Sequence, residues 1–357
     1  MDRINLENLI NYRRREFIIQ WHITNKCDMR CTHCYIPHEA KNQNENKLSL
    51  ERSYEIIDEL AILSERWRIK ARINFSGGNP LLDENFFTLA KYASSKGIRI
   101  GILGNPTSLL DSELLKKLKE IPIWRYQISI DGLKENHETI RGKGTYDLAM
   151  RALDILIAEN IPSVVLSTVT KKNMKDIPKL AEILFEKGVY IFDFARIVPA
   201  GEATTMIDLL PEPEEYKSFL LDMFETYKRI KKKKPNVRFG VKDPLWMLLY
   251  RELGLLKPIK ERDKIYGGCS IGINGFCIDV DGTCYSCRRL GIPIGNIKEN
   301  SIFDIFIKSK ELNKERDYNS IEGCGNCELL PVCRGCRAIA YHTTGNYFSK
   351  DPSCWKK

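Results

Sequence analysis

Cysteine placement constrains this chain more than any other feature. Twelve cysteines occur in 357 residues: Cys27, Cys31 and Cys34 near the start, nine more from Cys269 to Cys354, and none between. The first set stands in Asn25-Lys26-Cys27-Asp28-Met29-Arg30-Cys31-Thr32-His33-Cys34-Tyr35, directly after an apolar, strand-like run. Three thiolates this close can hold three irons of a cubane 4Fe–4S cluster. Such cubanes usually take four cysteines, so the fourth iron is left with an open coordination position. A zinc site is the competing reading, but zinc favours C-x2-C or C-x4-C pairs with a nearby fourth ligand, and only His22 and His38 are at hand.

The length accommodates one large α/β domain and a smaller one, and 43% apolar residues supply a sizeable core. No stretch reaches the length of a membrane span. The start, Met1-Asp2-Arg3-Ile4-Asn5, lacks the apolar segment of a secretory signal. A cytoplasmic location is expected, where thiols stay reduced and cysteines serve as ligands rather than disulfides. The net charge of +9 comes partly from Lys231-Lys232-Lys233-Lys234. A lysine run closing a helix suits the macrodipole, so it reads as a solvated helix end. Neither nucleic acid nor membrane is expected as a partner.

Apolar runs alternate with helical patterns. Phe17–Thr24, Arg72–Phe75, Ile98–Leu103, Trp124–Ile130, Val164–Val169 and Ile191–Val198 read as strands. Helices are predicted over Ser49–Leu63, Asp83–Ser95, Ser112–Leu118, Tyr146–Glu159 and Lys175–Lys187. Six strands joined by crossover helices imply a parallel sheet, with sites at the strands' C-terminal ends; the cysteine loop falls there, after the first strand. From 201 to 265 the rhythm breaks into proline-punctuated helical segments, Glu214–Lys232 and Trp246–Leu255, read as a bridge.

On these motifs the chain resembles the radical S-adenosylmethionine (radical SAM) superfamily. The resemblance implies an α/β fold, a partial (β/α)6 barrel with a cysteine-rich SPASM domain at its C-terminal end. The implied division is an N-terminal segment 1–16, barrel 17–200, helical bridge 201–265 and iron–sulfur domain 266–357. It further implies that the open iron at Cys27, Cys31 and Cys34 chelates SAM and reduces it. SAM then splits into methionine and a 5′-deoxyadenosyl radical that takes hydrogen from an unactivated carbon. Phe75-Ser76-Gly77-Gly78-Asn79-Pro80 resembles the motif that binds the methionine ammonium; Asn79 stands where a glutamate is usual, so charge assistance is lost. By the same resemblance, Ser129 and Asp131 contact the SAM ribose or carboxylate, and Arg141 pairs with the methionine carboxylate through its bidentate fork. Thr168 and Asn173 add polar contacts, Arg196 to Gly201, with Pro199, meets the adenine, and His33 packs against SAM.

The C-terminal array resembles the SPASM domain. Cys324, Cys327, Cys333 and Cys354 are then ligands of an outer 4Fe–4S cluster, and Cys269, Cys287 and Cys336 of an inner one. The inner fourth position stays open among Cys277, Cys284 and the substrate. Val280-Asp281-Gly282-Thr283 is a hairpin signal lying between those two cysteines. A pair of zinc sites, or a single auxiliary cluster, is the alternative. The resemblance implies, first, a peptide-modifying maturase that forms thioether or carbon–carbon crosslinks. About sixteen residues precede the first strand, so a peptide substrate is expected either to use a separate leader-recognition protein or to bind the bridge directly. The alternative is a heme-pathway decarboxylase acting on an iron-coproporphyrin-like tetrapyrrole, supported by Cys333-Arg334-Gly335-Cys336-Arg337-Ala338, which looks like the heme b synthase branch. Sulfatase maturation fits less well, because Arg288 rather than aspartate follows Cys287. A non-catalytic iron–sulfur or zinc scaffold is the reading from another class. A reducing partner such as ferredoxin or flavodoxin is expected.

Overall fold

Period-two alternation in the first strand sets the layers. In β1 (Glu16–Thr24) the side chains of Phe17, Ile19, Trp21 and Ile23 are buried in the main apolar core, whereas Gln20, on the other face of the pleat, borders an internal cavity. A computed structural model describes residues 16–40, 46–259 and 261–356; nearly all of the expected N-terminal segment lies outside these.

The five strands that follow are β2 (Lys70–Gly77), β3 (Arg99–Leu103), β4 (Ile123–Ser129), β5 (Ser163–Val169) and β6 (Ile191–Arg196). All run parallel to β1 and pair in sequence order. The register Trp21↔Phe75, Phe75↔Ile102, Ile102↔Tyr126 lines large apolar side chains in one buried row. Helices α1 (Leu50–Arg66), α2 (Phe86–Ser95) and α3 (Ser112–Lys119) cross between the early strands. In α1, Ser49 caps the N-terminus by accepting from the Arg52 N–H, and Ser53, Ile56, Ile57, Leu60 and Leu63 form the buried stripe. The helix α4 (Lys134–Arg141) precedes α5 (Thr145–Ala158), and α6 (Ile177–Lys187) joins β5 to β6. No apolar periodicity announces α4, because its only buried residue is His137.

The sheet does not stop at six strands. Within the bridge, β7 (Arg238–Phe239) adds to β6, and α7 (Pro213–Lys233) and α8 (Trp246–Glu252) cover that end. Tyr227 stacks on Phe239 with ring centroids 3.8 Å apart, and on Trp246 at 5.7 Å. At the opposite edge β8 (Gly275–Ile278) lies parallel to β1, followed by antiparallel β9 (Thr283–Tyr285) and β10 (Pro293–Asn296). The ten-stranded order is β10-β9-β8-β1-β2-β3-β4-β5-β6-β7, so one sheet crosses both boundaries expected near 201 and 266. Gly275 permits the β8–β1 approach: a Cβ there would lie 1.9 Å from the Ile18 carbonyl oxygen. The helix α9 (Lys310–Glu315) follows β10, and α10 (Arg337–Thr344) packs Ala338 and Ile339 on Ile197 and Val198, just past β6.

One buried ion triad joins the three segments. Arg196, at the end of β6, donates to Asp243 of the bridge (Nε–Oδ2 2.8 Å) and to Asp351 near the C-terminus (Nη1–Oδ1 2.6 Å, Nη2–Oδ2 2.8 Å). Its side chain is fully buried and its carboxylate partners nearly so. Removing one member of such a set leaves charge uncompensated in the interior, at a cost of about 3–5 kcal/mol. Arg196→Met should therefore lower the unfolding free energy from chemical denaturation by that order, and Asp243→Asn with Asp351→Asn in the same chain should restore much of the loss.

Candidate active site

The Cys27–Cys34 loop is stitched down on three sides. The Gly78 N–H donates to the Thr24 carbonyl (2.8 Å) and the Asn79 N–H to that of Lys26 (2.7 Å). From α4, the Ile140 carbonyl receives the Thr32 N–H (2.9 Å), and the Glu202 N–H, past β6, donates to the Cys34 carbonyl (2.8 Å). Glycine is required at 78, where a Cβ would stand 2.1 Å from the Lys26 oxygen.

Above the strand ends lies a cavity of about 350 Å³, within the range of small-molecule sites. Cys27, Cys31 and Cys34 line it together with Gly77, Gly78, Ser129, Arg141 and Thr168, all expected there. His33 lines it too, as do Cys277 and Cys287 from the other side. Asn105, just past β3, also reaches it, donating from Nδ2 to Cys27 Sγ (3.4 Å) and to Asp28 (2.5 Å). The sequence signal for Asn105 was its place at a strand's C-terminal end, the position already used at Ser129 and Asn79.

Four expected contacts sit elsewhere. Asn173 is buried, its Nδ2 donating to the carbonyls of Asp131 (2.7 Å) and Thr168 (2.8 Å). Asp131 is fully buried and does not border the cavity. Its Oδ1 accepts the Thr168 N–H (2.7 Å), and its Oδ2 accepts Arg141 Nε (2.5 Å) and lies 3.3 Å from His33 Nε2. Burial alone would raise its pKa; the charge of Arg141, with His33 and the Thr168 N–H, holds it well below the carboxylate range. Asp131 thus organises the residues that do line the cavity. Arg141 reaches on to Cys31 Sγ (3.6 Å), so its charge opposes the rise that burial imposes on that thiol. Pro199 is buried outside the lining, although its neighbours Ile197 and Val198 contribute to it. Asn79 is buried, donating to Ser108 Oγ (2.8 Å) and Asp28 Oδ1 (3.2 Å).

The donor set suits a cluster with one open iron. His22 is tied to Tyr35 and Asp279, and His38 to Cys31 and Glu202, so neither local histidine faces the three thiols as a fourth ligand. Among the described residues no three His, Cys, Asp or Glu converge on a single-ion site; cluster-bound sulfurs stand farther apart than the ligands of one ion.

Cys324, Cys327, Cys333 and Cys354 line one small pocket. Cys269, Cys287 and Cys336 border the second apolar core around Ala338 and Leu290, and Arg289 lies close to all three. Arg334, in a left-handed conformation (φ 64°), reaches back to the carbonyls of Gly267 (2.7 Å) and Cys269 (2.5 Å), coupling the two sets. Of the two extra cysteines, Cys277 faces the cavity and Cys284 is packed in the main core.

Sequence reasoning passed over Lys242. It projects into the cavity from the bridge. Surrounding protein, then Arg289, push its ammonium down to about 8.

Comparison with known proteins agrees with this geometry. The radical SAM superfamily profile matches residues 21–184, and that of the SPASM iron–sulfur cluster-binding domain residues 269–337. An AdoMet-dependent heme synthase of Methanosarcina barkeri is 29% identical, covering 94% of this chain and 95% of its own. An Fe-coproporphyrin III synthase of the same organism is 30% identical, over 95% and 87%. The mycofactocin maturase MftC of Mycobacterium tuberculosis is 27% identical, over 94% and 82%. The crystal structure of Streptococcus suis SuiB bound to S-adenosylmethionine superposes with a TM-score of 0.75 at 16% identity, covering 96% of this chain and 77% of that one.

Two outcomes follow from the site. Sequence alone suggests that glutamate at 79 would tighten SAM binding or leave it unchanged, but here it would face Asp28 and lose both donations. Asn79→Glu should weaken SAM binding by about 1–2 kcal/mol, measured by calorimetry on reconstituted enzyme, and Asp28→Asn should recover part of it. The second concerns His137, whose Nδ1 accepts the Asp131 N–H (3.1 Å). Burial, then Arg141, push its pKa down to about 4. The unfolded chain therefore binds more protons between pH 6.5 and about 4, and stability falls as pH drops through that window. His137→Gln should flatten that part of a denaturation-midpoint profile.

Proposed function

This chain belongs to the radical SAM superfamily and carries its SPASM iron–sulfur domain, and on that premise we propose that it oxidatively decarboxylates carboxylate side chains of an iron-porphyrin substrate. The observation that carries this reading is the likeness, over nearly the whole chain, to an AdoMet-dependent heme synthase and an Fe-coproporphyrin III synthase; the cavity is compatible with it, since Lys242, Arg288 and Arg289 share it with Cys27, Cys31 and Cys34. A macrocycle with acidic side chains calls for that pairing of cationic groups with apolar wall, which Leu103, Leu166 and Val198 supply. The heme synthase and coproporphyrin synthase relatives support the same substrate class.

The 4Fe–4S clusters and SAM, when bound, supply the redox chemistry: reductive SAM cleavage, removal of one substrate hydrogen atom, and a sink for the electron left when CO2 departs. The protein's part is to hold and orient. Cys27, Cys31 and Cys34 would ligate the SAM-binding cluster, with Arg141 neutralising Cys31 and itself fixed by Asp131. Gly77 and Gly78 bring bare backbone to the methionine end, and Ser129 and Thr168 present hydroxyls along the cavity wall. Arg288 is engaged by Asp279 (2.8 Å) and Tyr285, which leaves Lys242 and Arg289 to receive substrate carboxylates.

A peptide substrate, the first expectation from sequence, is the second reading. The 27% identical mycofactocin maturase supports it, and Lys242 and Arg289 would serve acidic side chains equally well. Reduced enzyme with SAM should release CO2 from iron-coproporphyrin, the tetrapyrrole losing the mass of formic acid equivalents. A peptide losing two hydrogens, with no tetrapyrrole turnover, would transfer the assignment to maturation. Lys242→Met should raise the KM of the carboxylate substrate roughly tenfold, the order of one charge-assisted hydrogen bond, with Lys242→Arg restoring part. Because the ammonium loses its proton near pH 8, wild-type substrate affinity should fall as pH rises through that value.

A further inference from the structure

Ten of the twelve cysteines belong to three sets, leaving Cys277 and Cys284 over and the inner set one ligand short. We propose that Cys277 is the fourth protein ligand of the inner cluster and that Cys284 is not a ligand. This rests on membership of the radical SAM/SPASM family, not on the substrate class.

Hairpin register separates the two candidates. Cys277 stands opposite Tyr285, and Ile278 opposite Cys284. Side chains alternate along a strand, so Cys277 and Cys284 point to opposite faces. Cys287 lies in the bend just past β9, two residues after the Tyr285 that pairs with Cys277. Both border the same cavity, which Cys284 does not. The Cys277 sulfur receives the backbone N–H of Arg288, the residue after Cys287.

Cys284 has none of these features. It is fully buried among apolar side chains of the main core, and its thiol donates to the Gly282 carbonyl (3.5 Å). A cluster there would displace packed side chains.

The test removes the SAM-binding cluster, whose open iron would confuse it, by Cys27→Ala, Cys31→Ala and Cys34→Ala together. This parent, reconstituted anaerobically, should hold about eight irons. Its reduced electron paramagnetic resonance spectrum should not change on adding imidazole, because every auxiliary iron already has a cysteine. Adding Cys277→Ala should either make one signal imidazole-sensitive or reduce the iron by about four while the outer signal persists. Adding Cys284→Ala should leave iron and spectrum as in the parent. An imidazole-induced shift in the parent itself, or an unchanged spectrum and iron content in Cys277→Ala, would overturn the proposal. If Cys277→Ala fails to fold, the parent's response to imidazole decides alone.

Discussion

The fold's three segments depend on Arg196. A guanidinium with no exposed side-chain surface has two carboxylates around it, Asp243 from the bridge and Asp351 from the C-terminal tail. Such a pair is stable only where geometry and further hydrogen bonds offset desolvation. Those bonds are present: Asp351 also accepts the Cys336 N–H (2.6 Å) and the Ser353 N–H (3.0 Å), and Asp243 accepts the Leu245 N–H (3.0 Å). One arginine therefore fixes the end of β6, the start of α8 and a cysteine of the inner set relative to one another. Resemblance suggested Arg196 as part of an adenine-contacting segment. Its guanidinium is held by the two carboxylates, and Arg196 borders the cavity together with Ile197 and Val198.

The barrel was legible because its information is local. Short apolar runs marked each of the six strands, amphipathic stripes marked most of the helices, and the observed ends fall within a few residues of those expected. The cysteine spacing carried the chemistry, since ligand sets must be written close together or in fixed steps. What escaped was non-local. The β8–β1 pairing joins residues more than 250 apart in sequence and leaves no periodic trace. β7 is two residues long, Arg238 and Phe239, too short for any pattern. α4 escaped for the opposite reason: its role is to position Arg141 and His137, and it buries almost no apolar surface.

The same distinction runs through the site. Residues at strand ends were identifiable by position, and most line the cavity. Which of them faces a ligand and which faces a neighbour was not identifiable. Asp131 and Arg141 both carry the charge expected of cofactor contacts, yet each has the other as its buried partner. Only a structure shows that Asp131 acts through Arg141 and Thr168. Asn79 is similar: its departure from the usual glutamate matches the carboxylate of Asp28 supplied from the cysteine loop 3.2 Å away, a pairing that two separate motifs cannot reveal. Lys242 had no motif at all. Its signal is geometric, being the first cation after a two-residue edge strand that ends at the cavity.

Continuity of the sheet bears on how one architecture serves different substrates. β1 delivers the Cys27 loop, and its neighbour β8 carries Cys277; the register Gln20↔Cys277 sets the spacing between the two regions through main-chain hydrogen bonds. That spacing is rigid because it belongs to the sheet rather than to a linker. The side chains facing the gap come from elsewhere: Lys242 from the bridge, and Arg288 and Arg289 from the turn after the hairpin. These segments can change without disturbing any strand. Relatives at 27–30% identity over nearly the whole chain bear the names of an AdoMet-dependent heme synthase, an Fe-coproporphyrin III synthase and a mycofactocin maturase. Such divergence is what the proposed division of labour predicts, with the cysteine loop on paired strand ends and the proposed substrate-facing charges on the segments between them.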